Sequence, residues 1–220
     1  GSPVTAEVCF GSEAKSLLIG TTGRGGSSIY ALDVTNLSNP SASNILWDFS
    51  NKDDSDLGLT IGQPSITKNG SGNPLVILSS GYNNTSGKGY LYILNAQNTG
   101  SWIQNSNYWK IPLGSSGVGE PFVYDDNHDG IPEAVFVGDN EGKVWRINYD
   151  QASNTWSNPY GTSPLYSPSS SNSPITGAPF AQKVGGRLYV VVGTGQYFSL
   201  SDIASNVQNY ALGLFADMGP

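Results

Sequence analysis

A Gly-x-Pro tripeptide returns four times along the 220 residues, at Gly1-Ser2-Pro3, Gly62-Gln63-Pro64, Gly119-Glu120-Pro121 and Gly177-Ala178-Pro179. The intervals are 61, 57 and 58 residues. After each tripeptide comes an apolar run closing on a glycine: Gly20, Gly81, Gly138 and Gly193. These glycines stand 19, 19, 19 and 16 residues beyond the tripeptide's own. A further apolar run follows in each unit, at 29–33, 91–95, 144–148 and 210–215, and shorter ones at 45–49, 101–103 and 155–156 read as a fourth strand. Repetition at a fixed period of this length, with four short strands per unit, is the signature of propeller blades. Proline lacks the N–H a sheet interior needs, so each Gly-x-Pro should open a strand at an edge, with glycine allowing close approach near an axis. The chain is therefore expected to be all-β, a modified β-propeller of four blade-like, four-stranded antiparallel repeats. Their approximate bounds are 1–61, 62–118, 119–176 and 177–220, in one domain spanning 1–220. No stretch sustains a helical period.

Composition narrows the function more than the fold. Charged residues make up 12% of the chain and the net charge is −7, against about 25% charged in ordinary domains. A general nucleic-acid role is excluded by the shortage of cations to neutralise phosphate. No apolar run reaches the ~20 residues of a membrane-spanning helix. Cys9 stands alone, so no disulfide forms within the chain, and its strand context suggests a small buried hydrophobe. The polar, weakly charged surface points to an extracellular setting. With no initiator Met, and a tripeptide register that already includes Gly1, the sequence is expected to be a monomeric piece of a larger propeller. The residues at 217–220 look equally abrupt.

One stretch carries chemistry. In Asp125-Asp126-Asn127-His128-Asp129-Gly130-Ile131-Pro132-Glu133, oxygen-bearing side chains stand at loop positions 1, 3 and 5, and glycine at position 6. Ca²⁺ takes six to eight oxygens, and alternate Asp and Asn side chains around a tight glycine turn can converge on one centre. Asp125, Asn127 and Asp129 are the candidate side-chain ligands, with the Ile131 carbonyl at position 7 and Glu133 at position 9. Position 12, where an EF-hand closes with a bidentate Glu, is Phe136 inside an apolar run. The loop is therefore expected to join two strands. An Asx-rich solvated turn needing no ion is the plain alternative.

Other features read more modestly. Asp53-Asp54-Ser55-Asp56 lacks the glycine and reads as a solvated acidic loop. Tyr82, Tyr160 and Tyr166 could stack on a saccharide, although loop tyrosines more often pack. His128, the one histidine, should point away from an ion at position 4. The five Trp residues read as blade core, and Arg24-Gly25-Gly26-Ser27 as a turn rather than a phosphate cradle, since no helix follows it.

Several segments together resemble the PilY/PilC family of type IV pilus biogenesis and tip-adhesin proteins. Ile19-Gly20 through Gly25-Gly26 to the run Tyr30–Thr35 is similar to that family's "GG…ALDVT" segment. Asp56–Pro64 is similar to its "DLG-aromatic-T-x-x-Q-P" segment, with Leu59 in place of the aromatic. Asp125–Glu133 followed by Gly138–Trp145 resembles its calcium loop and the following hairpin. Gly193–Phe198 resembles "GTG-K-Y", with Gln196 in place of Lys. The resemblance covers the whole chain, in order. It implies a non-catalytic calcium-binding propeller belonging to a protein with a vWA-like first half, whose calcium regulates pilus extension and retraction. It also implies minor pilins and a host or surface receptor as partners. The implied location is the bacterial cell surface, at the fimbrial tip and in association with the outer membrane. The ligands it implies are Asp125, Asn127, Asp129, Ile131 and Glu133, the last replacing a commoner Asp. Two other classes fit a propeller: a quinoprotein dehydrogenase carrying pyrroloquinoline quinone, and an integrin-like or lectin-like carbohydrate binder. The first lacks the adjacent cysteines often found in that group, and the second usually repeats its ion loops, whereas this chain has one.

Overall fold

The structure, a computed structural model, describes residues 1–114, 117–169, 173–203 and 206–216. Among the described residues, fifteen strands form four separate antiparallel sheets. The first contains β1 (Val4–Phe10), β2 (Glu13–Thr21), β3 (Ser28–Asp33) and β4 (Ile45–Ser50), paired in that order. The second contains β5 (Ser65–Lys68), β6 (Pro74–Ser79), β7 (Gly89–Asn95) and β8 (Tyr108–Gly114). The third contains β9 (Phe122–Tyr124), β10 (Ala134–Gly138), β11 (Val144–Asp150) and β12 (Thr155–Ser157). The fourth contains β13 (Phe180–Val184), β14 (Arg187–Gly193) and β15 (Ala211–Phe215). Among the described residues, helical geometry is confined to three single 3₁₀ turns, Gly23–Gly25, Ala42–Asn44 and Leu200–Asp202.

Two strand expectations need correcting. The outer strand of the second sheet is β8, not Ser101-Trp102-Ile103. Pro112 within β8 is tolerated because the strand is an edge, where a missing N–H breaks no ladder. Trp102 instead lies in the preceding connection. Its ring meets Trp47 edge-on at 5.3 Å, and its indole N–H donates to the Asp48 carbonyl. The fourth unit shows three strands among the described residues rather than four. The serine-rich connection at 167–171 falls partly outside the described residues, as does the 217–220 end.

The sheets stack face to face, and side-chain alternation shows how. In β6, Val76 and Leu78 join a core with Leu17, Ile19, Trp47 and Phe49 of the first sheet. Their neighbours Leu75 and Ile77 join a second core with Val135, Val137 and Trp145 of the third. In β10, Ala134 and Phe136 turn the other way, onto Leu188, Val190 and Val192 of the fourth. Successive residues of a strand point to opposite faces, so a sheet covered on both faces needs an unbroken apolar strand. That is why β6 and β10 are buried throughout. Each fully buried Leu, Ile or Phe contributes about 1.5–3 kcal/mol. On β14 the alternation returns, with Val191 47% exposed between buried Val190 and Val192.

The first strands of the first three sheets face a common space, with Ala178 of the fourth unit beside it. A cavity of about 960 Å³ is lined by Val8 of β1, Ile66 and Lys68 of β5, Val123 of β9, and Asp125 and Gly130 just beyond. In every unit the tripeptide proline immediately precedes the innermost strand. At Gly62 and Gly119 close approach explains the tripeptide's glycine, whereas a Cβ on Gly177 would meet nothing within 4 Å. A Cβ on Gly62 would lie 3.0 Å from the Glu120 Cα, and one on Gly119 would lie 2.8 Å from the Ile175 carbonyl oxygen. Any side chain there would push neighbouring units apart.

Candidate metal centre

The stretch 125–133 connects β9 to β10, as the apolar runs on either side require. The Glu133 N–H donates to the Tyr124 carbonyl at 3.0 Å, closing the base of the loop. Gly130 has φ +84° and His128 φ +59°; glycine adopts this left-handed region at no steric cost. Inside the loop, Asp125 accepts from the N–H groups of Asp129 (3.2 Å) and Gly130 (2.7 Å), one on each carboxylate oxygen. The Asn127 Oδ1 accepts from the Asp129 N–H at 3.0 Å, and its amide donates to Asp129 Oδ2 at 3.0 Å. Asp129 Oδ1 accepts from the Ile131 N–H at 2.7 Å. The structure thus gathers Asp125, Asn127 and Asp129, with Ile131 directly joined to them. Glu133 lies slightly apart, its carboxylate accepting from the Asp126 N–H at 2.7 Å.

These donors suit a hard divalent cation. They are all oxygens, presented from alternate positions, each already oriented by a backbone N–H. Asp125 is half-buried and residues 126–129 are exposed, so an ion has open access. Among the described residues no three Asp, Glu, His or Cys side chains converge closely enough to cage a metal unaided. A cation held here would therefore need the Asn127 amide oxygen and a carbonyl beside the carboxylates.

Asp126, between the candidate ligands, faces another way. Its carboxylate accepts from the Tyr124 hydroxyl at 2.5 Å and pairs with Lys183 of β13 at 3.0 Å. The hydroxyl first, and then the ammonium, hold its carboxyl below the usual carboxylate range. Burial, reinforced by that bond to Asp126, pushes the Tyr124 hydroxyl up. On the opposite side, the Gly130 carbonyl accepts from the Thr67 hydroxyl (2.8 Å) and the Lys68 N–H (3.0 Å), both on β5. None of Thr67, Lys68 or Lys183 stands out in the sequence. Lys183 lies 57 residues from Asp126, and Thr67 lies 63 residues from Gly130; no local signal links them.

Two other residue groups depart from their sequence readings, and the tyrosines follow theirs. The acidic stretch 53–56 is solvated at Asp53 and Ser55 but not at Asp54 and Asp56: Asp54 is 8% exposed, and both Asp54 (2.9 Å) and Asp56 (2.7 Å) pair with Lys110 of β8. The Tyr108 hydroxyl also donates to Asp54 at 3.0 Å, and burial pushes that phenol up to about 12. Cys9 is exposed, because it falls on the side of β1 that alternates outward. Tyr82 is buried, its ring 4.8 Å from that of Phe198, while Tyr160 and Tyr166 are half-buried. Tyr82 thus packs, as loop tyrosines more often do.

Comparison with known proteins agrees with this architecture. The family model described as the PilY1 beta-propeller domain matches residues 1–219. The type IV pilus biogenesis factor PilY1 of Pseudomonas aeruginosa is 30% identical over 91% of this chain, which spans 19% of that protein. A PilY1 homologue of Xylella fastidiosa is 29% identical over the whole chain, which spans 16% of it. The chain thus spans under a fifth of these curated relatives. The crystal structure of the P. aeruginosa PilY1 C-terminal domain superposes with a TM-score of 0.83 at 25% identity, covering 98% of this chain and 48% of that one.

Proposed function

This chain belongs to the PilY1 β-propeller family, and from that footing we propose that it is a non-catalytic, calcium-binding module of a type IV pilus biogenesis and adhesion protein. The 125–133 loop carries the proposal: it supplies side-chain oxygens at positions 1, 3 and 5 and a left-handed glycine at position 6, between two strands. In this reading Asp125, Asn127 and Asp129 hold Ca²⁺, with the Ile131 carbonyl and, after a short turn of its side chain, Glu133 completing the oxygens. The bound ion supplies positive charge to a loop crowded with carboxylates. The chain's own part is to hold the donors pre-oriented through the N–H groups of Asp129, Gly130 and Ile131. Because only the folded loop assembles the set, binding stabilises the native state by about 2.7 kcal/mol at a hundredfold excess over Kd.

The relatives' names place them in type IV pilus biogenesis. By extension this module works at the bacterial surface, on the pilus, with minor pilins and a surface or host receptor as partners, and calcium biases extension against retraction. A quinoprotein reading is less well supported, since Trp47 and Trp145 are buried between sheets and offer no face to a cofactor. Titration calorimetry with Ca²⁺ tests the proposal. Wild type should bind one ion per chain, and Asp125→Ala or Asp129→Ala should abolish the heat while far-ultraviolet circular dichroism stays unchanged. Wild-type heat from either variant overturns the ligand assignment.

A further inference from the structure

The loop touches more than its own sheet. On one side the Gly130 carbonyl is held by Thr67 and Lys68 of the second sheet. The Lys68 side chain runs alongside, close enough that a Cβ on Gly130 would meet its Cε at 3.2 Å. On the other side Asp126 is held by Lys183 of the fourth sheet. Each tether sits one bond from the candidate ligands. The Gly130 N–H donates to Asp125 while its carbonyl accepts from β5. Asp126 adjoins Asp125 directly, and its N–H fixes Glu133.

We infer that the loop is a calcium-dependent clasp between sheets: an ion gripping Asp125, Asn127 and Asp129 locks the third sheet simultaneously to the second, through Gly130, and to the fourth, through Asp126. The inference rests on the calcium reading above and adds what the ion controls. Other polar bonds also join neighbouring sheets, among them Lys110 with Asp54 and Asp56, the Gln63 N–H with Glu120, and Arg146 with the Ala216 carbonyl, while the broad faces between them are apolar. The loop supplies directional polar bonds at the inner rim, where a small rotation of one sheet on the next has most effect on the shared cavity. Asp125 and Gly130 themselves line that cavity, so tightening the loop also fixes one of its walls. Linkage makes the effect reciprocal: whatever the ion adds to the sheet contacts, the contacts add to ion affinity.

Two measurements on the whole chain test this. In calorimetry with Ca²⁺ alone, Thr67→Val and Lys183→Ala should each weaken binding about fivefold, the lower end of ordinary coupling, although neither residue is a ligand. In hydrogen–deuterium exchange, added Ca²⁺ should slow exchange not only in 122–138 but also in β5 and β13. Undiminished affinity in both variants, with protection confined to 122–138, overturns the clasp and leaves the ion site standing. Absence of binding by wild type overturns the calcium reading itself, and the clasp with it. If either variant fails to fold, the exchange pattern of wild type alone still decides between a clasp and an isolated ion loop.

Discussion

Replacing Lys110 by Met keeps the side chain's length and apolar stem but removes its charge from between two carboxylates. The Lys110 side chain is 16% exposed and those of Asp54 and Asp56 6% and 15%, and the ammonium also lies 4.9 Å from the Tyr90 ring centre. Asp54 and Asp56 sit in the connection leaving the first sheet, while Lys110 is on the outer strand of the second, so the triad ties one sheet to the next at the rim. Breaking a buried pair by removing one partner costs about 3–5 kcal/mol, because the remaining charge stays desolvated. The residual exposure here places the cost near the lower end, about 3 kcal/mol. For a chain of this size that lowers Tm by roughly 6–12 °C.

The pH dependence is a sharper signature. Burial opposes ionisation of Asp56, yet the bonds from Lys110 and Ser86 outweigh it and hold its carboxyl below the ordinary 3.8. Burial likewise opposes the charge on Lys110, and the bonds from Asp56 and Asp54 outweigh it, raising the amine above 10.5. Both contributions are present between those limits; the first is lost as pH falls below about 3.8, and the second as pH rises beyond about 10.5. Melting curves by circular dichroism at pH 7 and in steps down to pH 3 should show a gap between wild type and variant that closes in acid. A variant melting within about 2 °C of wild type at pH 7, where roughly 6–12 °C is expected, would mean that water already solvates the carboxylates and the triad ties nothing.

Other outcomes follow from neighbouring features. Gly119→Ala should destabilise by about 1–3 kcal/mol, as overpacking does, because its Cβ would strike the carbonyls of Ile175 (2.8 Å) and Thr176 (2.9 Å), which are backbone and cannot swing aside; urea unfolding measures it. Trp145→Phe removes the indole N–H that donates to Asp139 at 2.8 Å and should cost about 1.5–3 kcal/mol at pH 7, the range for a bond to a charged group. Burial already raises the Asp139 carboxyl above 3.8, with the Trp145 bond pulling the other way. That raised value contributes stability below pH 3.8 that is lost as pH rises, so the variant's deficit should grow from pH 4 to 7; a deficit independent of pH would mean that only packing was lost.

The architecture was legible because it is written in residues that act locally. Proline before each first strand, glycine at each close approach, and unbroken apolar runs in β6 and β10 each report a backbone requirement within a few positions. The loop was legible for the same reason, since its candidate ligands lie within nine residues of one another. What escaped was whatever depended on distant partners. The acidic stretch at 53–56 looked solvated because Lys110, 54 residues from Asp56, gives no sign of its destination. Buried Arg146, whose guanidinium donates to the Ala216 carbonyl at 2.5 Å, was equally silent. Trp102 drew attention from β8 because a tryptophan flanked by serine and isoleucine mimics a strand, whereas the true strand contains a proline and a lysine.

The close contacts at Gly62 and Gly119 carry a consequence for how such a chain can vary. Spacing between neighbours is set at the hub, by the absence of a single methyl group. Outer connections such as the one carrying Asp54 and Asp56 tie neighbours together but lie away from these close approaches. Insertions there can lengthen, shorten or change character without altering the pitch of the whole, whereas one added carbon at the hub shifts everything beyond it. Variation among relatives should therefore collect at the circumference, leaving a rigid core free to display new surfaces.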